Sequence, residues 1–174
     1  MLKRIFSARG MGQVISVFIA LVVMVIVFGF INPLFFSSSN ITNLLRQVAP
    51  ILIIGIGQSF VLISAGIDLS IGSVAGMSCM LCATLMTRLE MNPILAVVIT
   101  LACCIAVGTI NGLLISIAKL PAFIATLGTM IIARGVAQLV NGNMNTDGIP
   151  SDGFKEFFYY GSFLGIYTPI WIAA

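Results

Sequence analysis

The sequence predicts an all-α fold, a polytopic transmembrane helical bundle of about five full spans plus a truncated sixth. Three observations predict it. Sixty per cent of the 174 residues are hydrophobic and only 7% are charged, where soluble domains carry roughly 25% charged residues. Mean hydropathy is +1.18. Uncharged runs recur along the chain, from Gln47 to Ile67 and again from Leu69 to Thr87, each close to the roughly 20 residues a helix needs to cross hydrocarbon. The net charge of +3 is spread over several loops and forms no basic patch, which argues against nucleic acid as a partner. Little sequence is left for an aqueous catalytic domain, so the chain is not expected to be an enzyme.

The spans follow from charge-free windows and the punctuation between them. The first runs from about Val14 to Ile31 and stops at Asn32-Pro33. Lys3, Arg4 and Arg9 precede it, which places residues 1–13 in the cytoplasm as an amino-terminal tail. A cleaved signal peptide would have a shorter apolar region ending in small residues; this run ends in Phe-Gly-Phe-Ile-Asn-Pro, so an uncleaved anchor is expected. Ser37-Ser38-Ser39-Asn40 offers a helix start, then a short interfacial helix leads into a second span, about Val48 to Ala65. The third occupies about Leu69 to Met86 and ends at Arg88-Leu89-Glu90. The fourth runs from about Ile94 to Ala118 and ends at Lys119, and Pro121 opens the fifth, about Ala122 to Val140. Residues 141–162 form a polar loop, expected to be periplasmic. The last apolar run, Phe163 to Ala174, is too short to cross about 30 Å of hydrocarbon. The chain is therefore expected to be a single transmembrane domain, 1–174, incomplete at its carboxyl end. Lys119 then falls inside, while Arg46, Arg88 and Lys155 fall outside, so the orientation rests on the amino-terminal cluster.

The candidate functional residues are the polar ones that interrupt these runs. Asp68 lies between two uncharged stretches, where an ionised group needs a partner or water. Around it, Gly66, Ser70 and Gly72 suggest a sharp turn and close packing. Asp68 either fixes that turn, capping the third span, or takes part in transport or gating; the two roles are compatible. The turn lies at the cytoplasmic edge, or deeper if the second and third spans are broken helices, and sequence does not separate the two. Gln58 and Ser59 interrupt the second span, Asn111 the fourth, and Thr126 and Thr129 the fifth. Each can line a polar pathway or hydrogen-bond between helices. Arg134 either snorkels to the interface or pairs with Asp68. Gly72 and Gly76, Gly108 and Gly112, and Gly161 and Gly165 form small-xxx-small patterns that let helix backbones approach.

Other chemistry is disfavoured. Cys79-Met80-Leu81-Cys82 and Cys103-Cys104 fall near the middle of spans, away from the exposed, electropositive surroundings a reactive thiolate needs. Small apolar filling is the expected role. The chain has no His, which removes His-based zinc sites and Ser-His catalysis, and no metal site is expected. No G-x-x-x-x-G-K-[ST] loop is present, so ATP used for transport would be hydrolysed on another subunit.

Four segments resemble, in order, the membrane permease subunits of bacterial ABC sugar importers of the ribose/galactose branch. They are Asn40-Ile41-Thr42-Asn43-Leu44-Leu45, then Gly66-Ile67-Asp68-Leu69-Ser70-Ile71-Gly72-Ser73, then Gly108-Thr109-Ile110-Asn111-Gly112-Leu113-Leu114-Ile115, and last Pro121 through Met130 followed by Ala133-Arg134-Gly135. Together they cover about Phe36 to Asn143. The resemblance implies import of a monosaccharide across the bacterial inner membrane, with ATP and Mg bound by a cytoplasmic ATP-binding subunit and no cofactor on this chain. It also implies a periplasmic sugar-binding protein, a second permease copy or related permease, and the lipid bilayer as partners. Family members are longer and carry a second set of spans. Two other classes stay open: an ion-coupled secondary transporter using Asp68 and Arg134, and a non-transporting membrane assembly subunit.

Overall fold

The computed structural model describes residues 8–145, 148–149, 152–163 and 166–173. Five long helices dominate: α1 (Ala8–Ile31), α2 (Ser38–Ile63), α3 (Ile71–Thr87), α4 (Pro93–Ser116) and α5 (Ala122–Val140). A short helix α6 (Asp152–Lys155) continues into a π-helical turn, Glu156–Tyr160. Strands β1 (Ser162–Phe163) and β2 (Ile166–Tyr167) then pair antiparallel, Ser162 opposite Tyr167, before helix α7 (Thr168–Ala173). The all-α bundle is thus observed, with one two-residue ribbon added where the last apolar run was expected to be helical. Leu164 and Gly165, between the two strands, lie outside the described residues, and with them the Gly161–Gly165 spacing.

The chain divides into two compact units, residues 1–47 and 48–174. In the first, α1 starts at Ala8, inside the expected 1–13 tail, of which residues 1–7 lie outside the described residues. It ends at Asn32-Pro33, where Asn32 Oδ1 accepts the Leu34 amide at 3.0 Å. Phe35 lies between Phe28 and Phe36, with ring centroids 6.0 and 5.1 Å away. Gly29 lies close beneath the Phe36 ring, which would have to shift to admit a Cβ there. The start of α2 follows its sequence signal, with the Ser37 hydroxyl accepting the Asn40 amide and Asn40 Nδ2 donating to the Phe35 carbonyl at 2.7 Å. The expected interfacial piece and second span are one continuous helix, and the division between units falls at their junction. Pro50 lies inside that helix; membrane helices tolerate the missing N–H when neighbouring groups compensate.

In the second unit, α3, α4 and α5 pack on one another. Leu69 bonds to Thr126, at the start of α5, and Arg88, at the end of α3, bonds to Asn141, at the end of α5. Helices α3 and α5 therefore run in the same direction, with α4 antiparallel to both. The interior is mostly small or polar: Ala96, Ala125 and Ala133 are buried beside Ser70, Thr84, Thr100, Asn111 and Thr126, with Met77, Leu85 and Met86 as the larger buried side chains. Large apolar side chains such as Ile94, Ile105 and Ile132 face outward. Lipid tails are as apolar as Leu, so helices in a membrane associate through close packing and hydrogen bonds instead of burying their largest hydrophobes. Four helices, α1, α2, α4 and α5, are long and apolar enough to cross a membrane. The 17 residues of α3 rise only about 25 Å at 1.5 Å each, so the third span is helical over part of its length.

Candidate functional site

The residues between α2 and α3 form the site. Helix α2 closes with the Ala65 amide donating to the Leu62 carbonyl and the Gly66 amide to the Val61 carbonyl, both at 3.0 Å. Ala65 takes the left-handed conformation, φ 59°. This is the bonding pattern of a Schellman closure, which satisfies helix-end carbonyls where no water can. Gly66 follows in a tight place, since a Cβ there would lie 3.3 Å from the Val61 side chain and 3.7 Å from Ala122.

Residues 67–69 then run without helical bonds, side chains meet several of their backbone groups, and the Ser70 carbonyl accepts the first bond of α3 from the Val74 amide at 2.8 Å. The Thr126 hydroxyl oxygen accepts the Leu69 amide at 3.1 Å and lies 2.8 Å from the Ala122 carbonyl and 3.2 Å from that of Ile67. Gln58 Nε2 reaches the Asp68 carbonyl at 3.5 Å. Asp68 Oδ1 accepts both the amide and the hydroxyl of Ser70, at 2.7 and 2.6 Å. Asn111 Nδ2 donates to the Ser70 hydroxyl oxygen at 3.3 Å, and the Thr129 hydroxyl donates to Asn111 Oδ1. The donors run in one sense, Thr129 to Asn111 to Ser70 to Asp68, and end on a carboxylate. Such chains polarise each other, and a charged acceptor strengthens the last bond. Asp68 therefore binds the backbone and side chain of the residue that begins α3; it fixes the turn, and Ser70 makes no side-chain cap of its own.

The partners of the turn fix its level against the neighbouring helices. Thr126 lies four residues into α5 and Asn111 five residues before the end of α4. At 1.5 Å per residue the turn is set about 6–8 Å inside those helix ends. Irregular backbone at membrane depth is tolerated only where protein or a polar cavity satisfies it, and here four side chains do so.

Asp68, Asn111, Thr126, Thr129 and Gln58 thus come together, and two others do not join them. Ser59 is exposed and bonds the Gly55 carbonyl of its own helix at 2.8 Å. Arg134 is exposed and makes no ion pair or hydrogen bond among the described residues, so the Asp68–Arg134 pair considered from sequence is not formed. Arg134 instead edges a groove of about 320 Å³ with Leu69, Ser73 and Met130. The expected close packing at Gly72, Gly76, Gly108 and Gly112 is also not seen within the described residues: a Cβ at any of them would meet nothing within 4 Å. Their small-residue faces point away from the neighbours this chain supplies.

Ser70, 2% exposed, is the hub of the network, yet nothing in the sequence marks it above its neighbours. Arg88 and Asn141 form a second clasp at the far end of the same helices, Nη2 donating to the Asn141 carbonyl at 3.0 Å. Cys79, Cys82 and Cys104 line one cavity of about 360 Å³ with Thr100 and Phe154, and all four cysteines are free thiols. No group of His, Cys, Asp or Glu that could hold a metal ion occurs among the described residues.

Residues 40–174 match the family described as branched-chain amino acid transport system / permease component. The chain belongs to this family. It is 40% identical to the ribose import permease protein RbsC of Haemophilus influenzae over 158 residues, 89% of this chain and 48% of that protein. It is 36% identical to the D-allose transport system permease protein AlsC of Escherichia coli K12 over 155 residues, 88% of this chain and 47% of that protein. With the galactose/methyl galactoside import permease protein MglC of the same organism it shares 34% identity over 154 residues, 82% of this chain and 45% of that protein. The chain spans about half the length of these relatives. No solved structure matches it.

Proposed function

We propose that the chain forms part of the membrane permease of an ATP-driven importer for a monosaccharide of the ribose/galactose type, in a bacterial inner membrane with its amino terminus in the cytoplasm. The observation that carries this is identity over most of the chain to permeases named for ribose, allose and galactose. ATP and Mg would be held by a separate cytoplasmic ATP-binding subunit. A periplasmic sugar-binding protein would deliver the solute, and a second permease would complete the pathway.

The geometry divides the candidate residues between two roles. Asn111 and Thr126 are 6% and 1% exposed and engaged by protein partners, which suits them to holding the inset turn. Gln58, Asp68, Thr129 and Arg134 keep accessible surface and are the pathway-wall candidates. Asp68 Oδ2 has no partner among the described residues and is an acceptor a sugar hydroxyl would satisfy, whereas Gln58 Oε1, also without a donor there, is buried. The family's description favours a second substrate class, branched-chain amino acids.

Tagging the amino terminus in the native host and analysing the gently extracted complex by native mass spectrometry tests the assembly. The importer reading predicts a co-purified ATP-binding subunit and a paired permease. Recovery of the chain without an ATPase would favour the assembly-subunit or secondary-transporter reading.

A further inference from the structure

We infer that residues 152–160 are a membrane-interface anchor, laid at the level of the lipid headgroups beside the start of α4. The segment joins three charged residues, Asp152, Lys155 and Glu156, to Phe154, Phe157, Phe158, Tyr159 and Tyr160. Its aromatic side chains divide between two surfaces. Phe154 turns inward, packing on the buried cluster of Leu85, Met86 and Ala96 at the end of α3 and start of α4. Phe157 and Tyr160 stay 61% and 62% exposed, with Phe158 at 38%.

An outward Phe-Phe-Tyr-Tyr run would be a liability in water. Its surroundings argue for lipid. Phe157 and Phe158 line, with Ile94, Val97 and Val98, one open cavity of about 480 Å³. The exposed aromatic surface is therefore continuous with the outward apolar face of a membrane-spanning helix, at its first turn. Asn92 and Pro93 mark that helix start, Asn92 Oδ1 accepting the Ile94 amide at 2.9 Å. Aromatic rings with polar tips favour this boundary, where the ring meets acyl chains and the hydroxyl meets water. The charged groups stay at the same level, with Lys155 Nζ 3.3 Å from Asp152. Because Phe154 ties the segment to Leu85 and Met86, the anchor covers the end of α3, the helix too short to span alone.

The inference requires that the chain is embedded in a bilayer, and is independent of what is transported. The test uses the full chain with Trp171→Phe, so that a single Trp at 157 (Phe157→Trp) reports alone. It is reconstituted in phosphatidylcholine/phosphatidylglycerol vesicles carrying bromines at shallow or deep acyl positions. Interfacial burial of about 5–10 Å predicts about twofold stronger quenching by shallow than by deep bromines, with weak quenching by aqueous acrylamide. Strong acrylamide quenching without bromolipid quenching would overturn the anchor in favour of an aqueous loop. Quenching by neither would overturn it in favour of a protein covering. Tyr160→Trp in the same background repeats the measurement should Phe157→Trp fail to fold, and the same depth is expected.

Discussion

Thr126 replaces, with one hydroxyl, the ladder bond that the backbone at Leu69 lacks. Thr126 itself is 1% exposed, and its bond to the Leu69 amide is partly buried. Thr126→Val keeps the shape and strands the Leu69 N–H; a buried orphan donor costs about 1–3 kcal/mol. Unfolding in detergent should show that loss for Thr126→Val, with Thr126→Ser near wild type. Equal destabilisation by both would mean that the methyl group, not the hydroxyl, matters. Asp68 should divide in a similar way. Asp68→Asn retains an oxygen for the Ser70 amide and hydroxyl and should fold normally, whereas Asp68→Leu orphans both and should cost about 1–3 kcal/mol. Wild-type sugar uptake by Asp68→Asn in the full-length protein would remove its charge from the mechanism. Asp68, Asn111 and Thr126 could be picked from sequence because each interrupts an apolar run. Ser70 could be read as part of the turn but not as the hub, because its partner Asn111 is 41 positions away.

At the scale of elements, the end of α2 stores a correctable strain. Ala65 holds φ 59°, a conformation that glycine adopts freely. Ala65→Gly should raise stability in detergent by about 0.5–1 kcal/mol through relief of that strain, less glycine's greater unfolded entropy. No change or a loss would show the strain to be absorbed elsewhere. By contrast Gly142, φ 61°, already has the residue its position at the end of α5 needs. The open Gly108 and Gly112 predict a different result: Ala at either should leave the chain's own stability within about 0.5 kcal/mol. A loss of the permease pair on native mass spectrometry from the same variants would place those faces against a partner. Span boundaries were legible to within a few residues for α4 and α5, since Asn92-Pro93 and Pro121 are start signals. The end of α2 at Ile63 was legible to two residues as well, since Gly66, Asp68 and Ser70 signal a turn; how the turn's backbone is satisfied was not. Side chains of α4 and α5, with Gln58 of α2 and Asp68 itself, bond along that irregular path.

Across the molecule as a whole, most large apolar side chains of the described residues face outward and most buried ones are small or polar, with Met77, Leu85 and Met86 the larger exceptions. Composition alone carried the membrane class, and the ordered motifs carried the family. The convergence of four motif side chains on one inset turn was beyond sequence, since it depends on which faces of α3, α4 and α5 meet. Two clasps hold those helices in register, the Asp68–Ser70–Asn111–Thr129 chain at one end and Arg88–Asn141 at the other. Under the proposed function, solute movement is expected along surfaces outside this core, such as the groove edged by Arg134. The most direct measurement is uptake of labelled ribose, galactose and leucine by the native host, with the gene intact or disrupted, under ATP depletion or a protonophore. The account predicts that disruption abolishes uptake of one monosaccharide, and that this uptake follows ATP and not the proton gradient. Loss of leucine uptake with both sugars unaffected, or sugar uptake that survives ATP depletion and collapses with the gradient, would contradict it.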